Sequence, residues 1–185
     1  MMLKTLSMIG KVLNEDNIQW ALGASLLLNR YGLENEPQDI DLFVELKSSQ
    51  KVNDLLATLG KRIDVAKSSL YATKTFYRYD VKGVGIDVMG GFQIRHPRGV
   101  YRYHFDEYSI VEKQWIHGVE IPLTALEDWY ILYQLLPNRE AKVERIEDYF
   151  QTEGIQHPNL LKRALRGNLP LEVRNKSYTL LKSNI

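Results

Sequence analysis

Apolar residues at Leu3, Leu6, Ile9, Val12 and Leu13 recur at helical spacing, which predicts an amphipathic helix ending near Asn14 to Asn17. A short strand over Ile18 to Leu22 then meets Gly23, and Ala24 to Tyr31 reads as a helix closed by Gly32. Beyond a polar stretch broken by Pro37, acidic and apolar residues alternate through Asp39-Ile-Asp-Leu42 before Phe43 and Val44, predicting a strand with one acidic edge. Val52, Leu55, Leu56 and Leu59 set a helix opened by Ser48 or Ser49 and closed at Gly60, with a further strand over Arg62 to Ala66. Lys82-Gly83 joins Tyr71–Val81 to Val84–Met89 as a hairpin, and His117-Gly118 joins a second between Ser109 and Ile121.

From Thr124 the period changes to that of helices. Thr124-x-x-Glu127 reads as a capping box opening a helix towards Leu136, Asn138 as the cap of another running to Gly154, and Pro158 to Gly167 as a third. The pattern predicts an α/β (α+β) chain: a mixed sheet with flanking helices over residues 1–122, and a C-terminal helical part over 123–185 packed on that core. No internal repeat or low-complexity stretch interrupts it.

The composition changes this picture little. Apolar residues make up 44% and charged residues 25%, ordinary for a globular chain. Twenty-four basic residues oppose twenty-three acidic ones, so the overall charge draws the chain towards neither nucleic acid nor an anionic membrane, and any polyanion site must be local. The absence of cysteine removes disulfides, thiolate zinc sites and a thiol nucleophile. Polar interruptions at Lys4, Ser7 and Lys11 argue against a secretion signal, and the apolar run Ala21–Leu28 is too short to span a bilayer. The expected setting is the cytoplasm, without a membrane partner.

Candidate chemistry gathers at the acidic residues. Side chains alternate along a strand, so Asp39 and Asp41 point to one side, where their mutual repulsion calls for a hard, oxygen-preferring cation such as Mg²⁺ or Mn²⁺. An isolated Asp-x-Asp is more often a solvated strand face. Two further features add to it. Gly23-Ala24-Ser25 sits at a strand-to-helix turn, where backbone N–H groups and a hydroxyl can receive phosphate oxygens. Asp87 stands in the apolar strand Ile86-Asp87-Val88-Met89, where an uncompensated carboxylate is costly, and its burial near the other two makes sense only with metal.

Leu22-Gly23-Ala24-Ser25, Asp39-Ile40-Asp41-Leu42 and Asp87 together resemble the DNA polymerase beta-like nucleotidyltransferase superfamily, in particular small bacterial members such as antibiotic nucleotidyltransferases and the abortive-infection toxin group. The likeness runs from about Ile18 to Phe150, through Val119–Asp128. It implies a metal-dependent nucleotidyltransferase that moves an NMP from an NTP such as ATP to a hydroxyl acceptor and releases pyrophosphate, with Asp39, Asp41 and Asp87 holding two divalent ions. Asp87 is then expected nearest the acceptor, as its proton acceptor. Gly23 and Ser25 are expected at the nucleotide phosphates, with Lys142 and Arg145, which stand one helical turn apart. A solvated face in a charged helix accounts for those two basic residues as well. The sequence departs from the pattern at Tyr133, where many relatives carry lysine, and at Asn35 and Pro37, where they carry a basic residue and serine. The departures touch the triphosphate contacts and leave the acidic triad intact.

Arg95, Arg98 and Arg102 alternate with Tyr101 and Tyr103 in the segment 93–104, a composition able to grip phosphates and stack bases, and equally that of a hairpin whose tyrosines pack. Lys162, Arg163, Arg166, Arg174 and Lys176 form a second basic group, read as surface. His96, His104, His117 and His157 show no ligand spacing. The sequence leaves open whether the acceptor is a small molecule, a tRNA or a protein, and whether the chain forms a homodimer. Two other functions compete: a catalytically weak nucleotide-binding or toxin–antitoxin partner module, and a metal-dependent glycosyltransferase.

Overall fold

The computed structural model describes residues 1–183. They form two compact units: Met1–Ser68 with Thr73–Phe92 and His104–Thr124, and Ser69–Ala72 with Gln93–Tyr103 and the chain from Ala125 onward. The first unit holds a seven-stranded mixed sheet. Along the chain its elements are α1 (Met2–Glu15), β1 (Trp20–Gly23), α2 (Ala24–Arg30), β2 (Asp39–Val44), α3 (Ser49–Ala57), β3 (Lys61–Ile63), β4 (Thr75–Val81) and β5 (Val84–Gly90). After the excursion into the second unit, through β6 (Gln93–His96) and β7 (Gly99–Arg102), β8 (Ile110–Ile116) and β9 (Val119–Thr124) complete the sheet. The strand order is β3-β4-β5-β2-β1-β9-β8, with β2 parallel to β5 and β1 parallel to β9.

The period-two pattern divides this sheet into two unlike faces. One carries Trp20, Leu22, Ile40, Leu42, Tyr79, Ile86 and Val88, all buried. Helices α1 and α3 cover it: a Cβ added to Gly10 of α1 would lie 2.7 Å from Ile121 Cδ1 and 3.1 Å from the Trp20 ring, so glycine lets the helix approach this closely. From β4, the Tyr79 hydroxyl donates to the Asn53 carbonyl of α3 at 2.9 Å. On the opposite face Phe43 packs at a tilt against Phe92 and Phe105 with ring centroids 5.4 and 6.0 Å away, and the acidic residues lie there too.

Both predicted hairpins form, the first with a shorter leading strand that begins at Thr75 and not at Tyr71, which bridges to Ile94 instead. At their tips Lys82 and Gly83, then His117 and Gly118, all take positive φ, the twist that two-residue turns require. In the second unit β6 and β7 pair as a separate ribbon beside α4 (Leu126–Leu135), α5 (Glu140–Glu153), α6 (Pro158–Leu165) and α7 (Leu171–Ser183).

Several expectations need correcting. Ile18 lies outside the first strand, and the strand expected over Arg62 to Ala66 is only Lys61–Ile63. The capping box is not made: the Thr124 hydroxyl donates to the Leu22 carbonyl at 2.9 Å, Glu127 accepts from the His157 backbone N–H at 2.7 Å, and Ala125 is the N-cap. Asn138 takes φ 57° and leaves the N-cap of α5 to Arg139. Helix α7 was not foreseen; it buries Val173, Ser177, Leu180 and Leu181, a stripe diluted by a serine. Among the described residues no helix is long and apolar enough to cross a membrane.

Candidate active site

The second face of the sheet is best followed in rows running across the strands. In one row Arg78 on β4 stands opposite Asp87 on β5, Asp87 opposite Asp41 on β2, and Asp41 opposite Gly23 at the end of β1. The next row places Asp80, Gly85 and Asp39 in line, with glycine leaving no side chain between the acids. Neighbouring strands are about 5 Å apart, so Asp39, Asp41, Asp87 and Arg78 share a patch three strands wide and two rows deep, with Asp80 at its outer edge. Asp39 and Asp41 are half-buried, whereas the Asp87 side chain is only 9% exposed.

Register explains why these four meet. The two-residue turn at Lys82-Gly83 fixes Val81 opposite Val84, which brings Arg78 to Asp87 three pairs further along. Arg78 then forks onto the carboxylate: Nε donates to Oδ1 at 2.6 Å and Nη2 donates to Oδ2. The Arg78 pKa is raised, first by the hydrogen bond to Asp87 against the cost of burial, then by the fields of Asp87, Asp39 and Asp41. Three negative charges therefore converge on one positive group. The Phe76 ring lies on the same face, 5.9 Å from the guanidinium carbon.

This ion pair corrects one expectation directly. The burial of Asp87 does not require metal, because Arg78 compensates its charge from the neighbouring strand. Among the described residues no group of three or more Asp, Glu or His side chains is placed to hold a metal ion as it stands. The donor chemistry nevertheless fits one, since Asp39, Asp41 and Asp87 offer hard carboxylate oxygens on a single face. Asp87 is the member whose two oxygens are engaged by Arg78.

At the turn after β1, Gly23 is extended and Ala24 takes φ 50°, a left-handed conformation that costs an alanine about 1 kcal/mol or more. Ser25 follows, half-buried. Helix α2 has only seven residues and no side-chain cap. Asn35 and Pro37 lie between α2 and β2, outside regular structure.

Lys142 and Arg145 belong to α5 of the second unit. There the Lys142 ammonium lies 5.4 Å from the Tyr133 ring centroid, so Tyr133 is paired with a lysine from the next helix. Tyr101 of β7 and Tyr103 just beyond it are buried, and the Tyr103 hydroxyl donates to Asp128 at 2.8 Å, so those rings pack and do not stack on bases. Arg95 donates to the Tyr71 carbonyl, while Arg98 and Arg102 remain exposed. Members of the later basic group hold structure: Arg163 lies 3.9 Å from Asp128, Arg174 caps the Leu165 and Gly167 carbonyls, and Lys176 pairs with Glu147 at 3.0 Å. Sequence reasoning missed Arg78, although hairpin register could have found it.

No family model matches the chain, and no curated protein sequence matches it. Solved structures do. A nucleotidyltransferase candidate from Thermotoga maritima superposes with a TM-score of 0.60 at 21% identity, over 81% of this chain and 92% of its own. The antibiotic-resistance factor ANT(2'')-Ia superposes at 0.59 with 14% identity, covering 98% of this chain and 95% of the other. The lincosamide antibiotic adenylyltransferase LnuA, with lincomycin bound, gives 0.52 at 14% identity over 78% and 95%. At these identities the likeness is one of fold.

Proposed function

With a nucleotidyltransferase fold as the premise, we propose that this chain transfers a nucleoside monophosphate from an NTP, ATP first among them, to a hydroxyl acceptor and releases pyrophosphate. The observation that carries the proposal is the row Gly23–Asp41–Asp87, with Asp39 on the same face. A strained turn thus ends beside a set of carboxylates whose field attracts a cation. Mg²⁺ or Mn²⁺, held by Asp39, Asp41 and Asp87, would neutralise the triphosphate and the charge that builds as the α-phosphorus is attacked.

The chain's own residues supply the rest. Gly23 and Ser25 are assigned to phosphate oxygens, which their backbone N–H groups and hydroxyl would receive, and Lys142 and Arg145 are assigned to the triphosphate. Asp87 is assigned the acceptor proton, which passes from the hydroxyl to a carboxylate oxygen as the new P–O bond forms. That role requires an oxygen released from Arg78. The nucleotide donor sets the reaction in the cytoplasm, and the acceptor class is a hydroxyl, as in the adenylyl-2"-tobramycin complex of ANT(2")-Ia.

A second reading, a nucleotide-binding module with little turnover, draws on one specific observation: Arg78 engages both oxygens of Asp87. Incubating the protein with each α-labelled NTP, Mg²⁺ and cell extract separates the two. Label transferred to an extract component, with pyrophosphate released, supports the transferase. Metal-dependent NTP binding without any labelled product favours the binding module.

A further inference from the structure

We propose that Arg78 is a positioning residue that competes with a divalent cation for Asp87, so that cation binding displaces the guanidinium from the carboxylate. The proposal rests on the reading of Asp39, Asp41 and Asp87 as a metal-binding set. Its geometry comes from the sheet itself: Arg78 is the cross-strand partner of Asp87, Asp87 that of Asp41, and Asp39 lies two residues along the same strand. Asp39, Asp41 and Asp87 with Arg78 sum to −2 with the pair closed, before the exposed Asp80 of the next row is counted, and the full set of three is open to a cation only when the pair parts.

The two partners differ in their freedom to move. Asp87, with a side chain 9% exposed, lies on β5, an inner strand flanked by β4 and β2, while Arg78, 41% exposed, reaches it from the solvent side. A long flexible stem can swing the guanidinium away from Asp87 without disturbing the strand. Phe76, two residues back on β4, exposes 37% of its surface and offers an aromatic face to the released cation. The arrangement explains how a buried acid survives without an ion and why its oxygens are occupied. It also sets a threshold: a divalent ion must outbid a bidentate, charge-assisted pair.

The experiment is a calorimetric Mn²⁺ titration of the full chain, stripped with chelator, for the parent, Arg78→Gln and Arg78→Lys. Removing a competitor of this strength should tighten Mn²⁺ binding about tenfold in Arg78→Gln. Arg78→Lys, which keeps the charge but loses the fork, should fall between. Without metal, Arg78→Gln should melt below the parent, and saturating Mn²⁺ should narrow that gap. A structural role predicts otherwise: if Mn²⁺ binds the parent and binds the variants equally or more weakly, competition is overturned while the metal-site reading stands. Should Arg78→Gln show no cooperative melt, Arg78→Lys decides, and an unchanged Kd there overturns the proposal. If neither parent nor variants bind Mn²⁺, with or without NTP, the metal-site reading fails and the competition proposal falls with it.

Discussion

Replacing Asp87 with asparagine keeps the side-chain shape, removes one negative charge and strikes both partners of that residue. Crowded carboxylates alone would make the change stabilising, since it relieves repulsion from Asp41 and Asp39. Arg78 alters the balance. The attraction lost acts over roughly 4 Å and the two repulsions relieved act over roughly 5 Å and beyond, so the Coulomb parts nearly cancel at any common dielectric. The hydrogen bonds then decide. Asparagine retains one acceptor oxygen, and a charge-assisted bond contributes about 1.5–3 kcal/mol. Breaking a fully buried pair costs about 3–5 kcal/mol. Because the Arg78 side chain is 41% exposed, water takes up part of that loss. The expected cost in chelator is therefore about 1–2 kcal/mol. From a domain stable by about 5–15 kcal/mol this leaves more than about 99% folded at room temperature. Turnover should nonetheless fall by orders of magnitude, a loss that unfolding cannot supply. Chemical denaturation beside pyrophosphate release measures both quantities. A variant at least as stable as the parent would refute the counter-charge reasoning, and near-normal specific activity would remove Asp87 from the chemistry.

Lys142→Ala should raise KM for the NTP with little change in kcat, because a cation on the triphosphate acts in ground and transition states alike; an unchanged KM would take Lys142 out of the nucleotide site. Alkaline pH should unfold the second unit through its tyrosines. Burial raises the pKa of Tyr101 and Tyr130 above the ordinary 10.0, helped by the field of Asp128 at the first and the hydrogen bond to Glu147 at the second. The unfolded chain loses these protons from about pH 10 while the folded chain keeps them, so stability is full below that pH and falls above it. Absorbance at the phenolate band, followed with circular dichroism, should show these two of the 11 tyrosines ionising only as structure is lost; their titration near pH 10 with the fold intact would contradict this.

The acidic strand, both hairpins and the helical turn of phase at Thr124 were legible in the sequence because each rests on local periodicity or a two-residue turn. Arg78 was legible in principle. Once Lys82-Gly83 is taken as a tight turn, Val81 faces Val84, and counting back three pairs reaches Asp87. The periodicity of β5 alone does not distinguish a bound cation from a cross-strand arginine as the balancing charge; only the pairing with β4 does. The Thr124 cap failed for a different reason: its hydroxyl bonds Leu22, distant in sequence but adjacent in the sheet through the β1–β9 pairing. No local pattern announces such a competitor. The same holds for Glu127, taken by the His157 N–H, and for the pairing of Lys142 with Tyr133, which depends on how two helices lie together.

The central claim is that carboxylates on one sheet face hold a nucleotide through a divalent ion, and the melting temperature of the parent and of Asp41→Asn tests it most directly. Each is measured with NTP and Mg²⁺, then with NTP and chelator. The account predicts a clear upward shift for the parent with Mg²⁺, a much smaller one in chelator, and loss of the difference in Asp41→Asn. Equal shifts for the parent in both conditions, or an undiminished Mg²⁺-dependent shift in the variant, would contradict it.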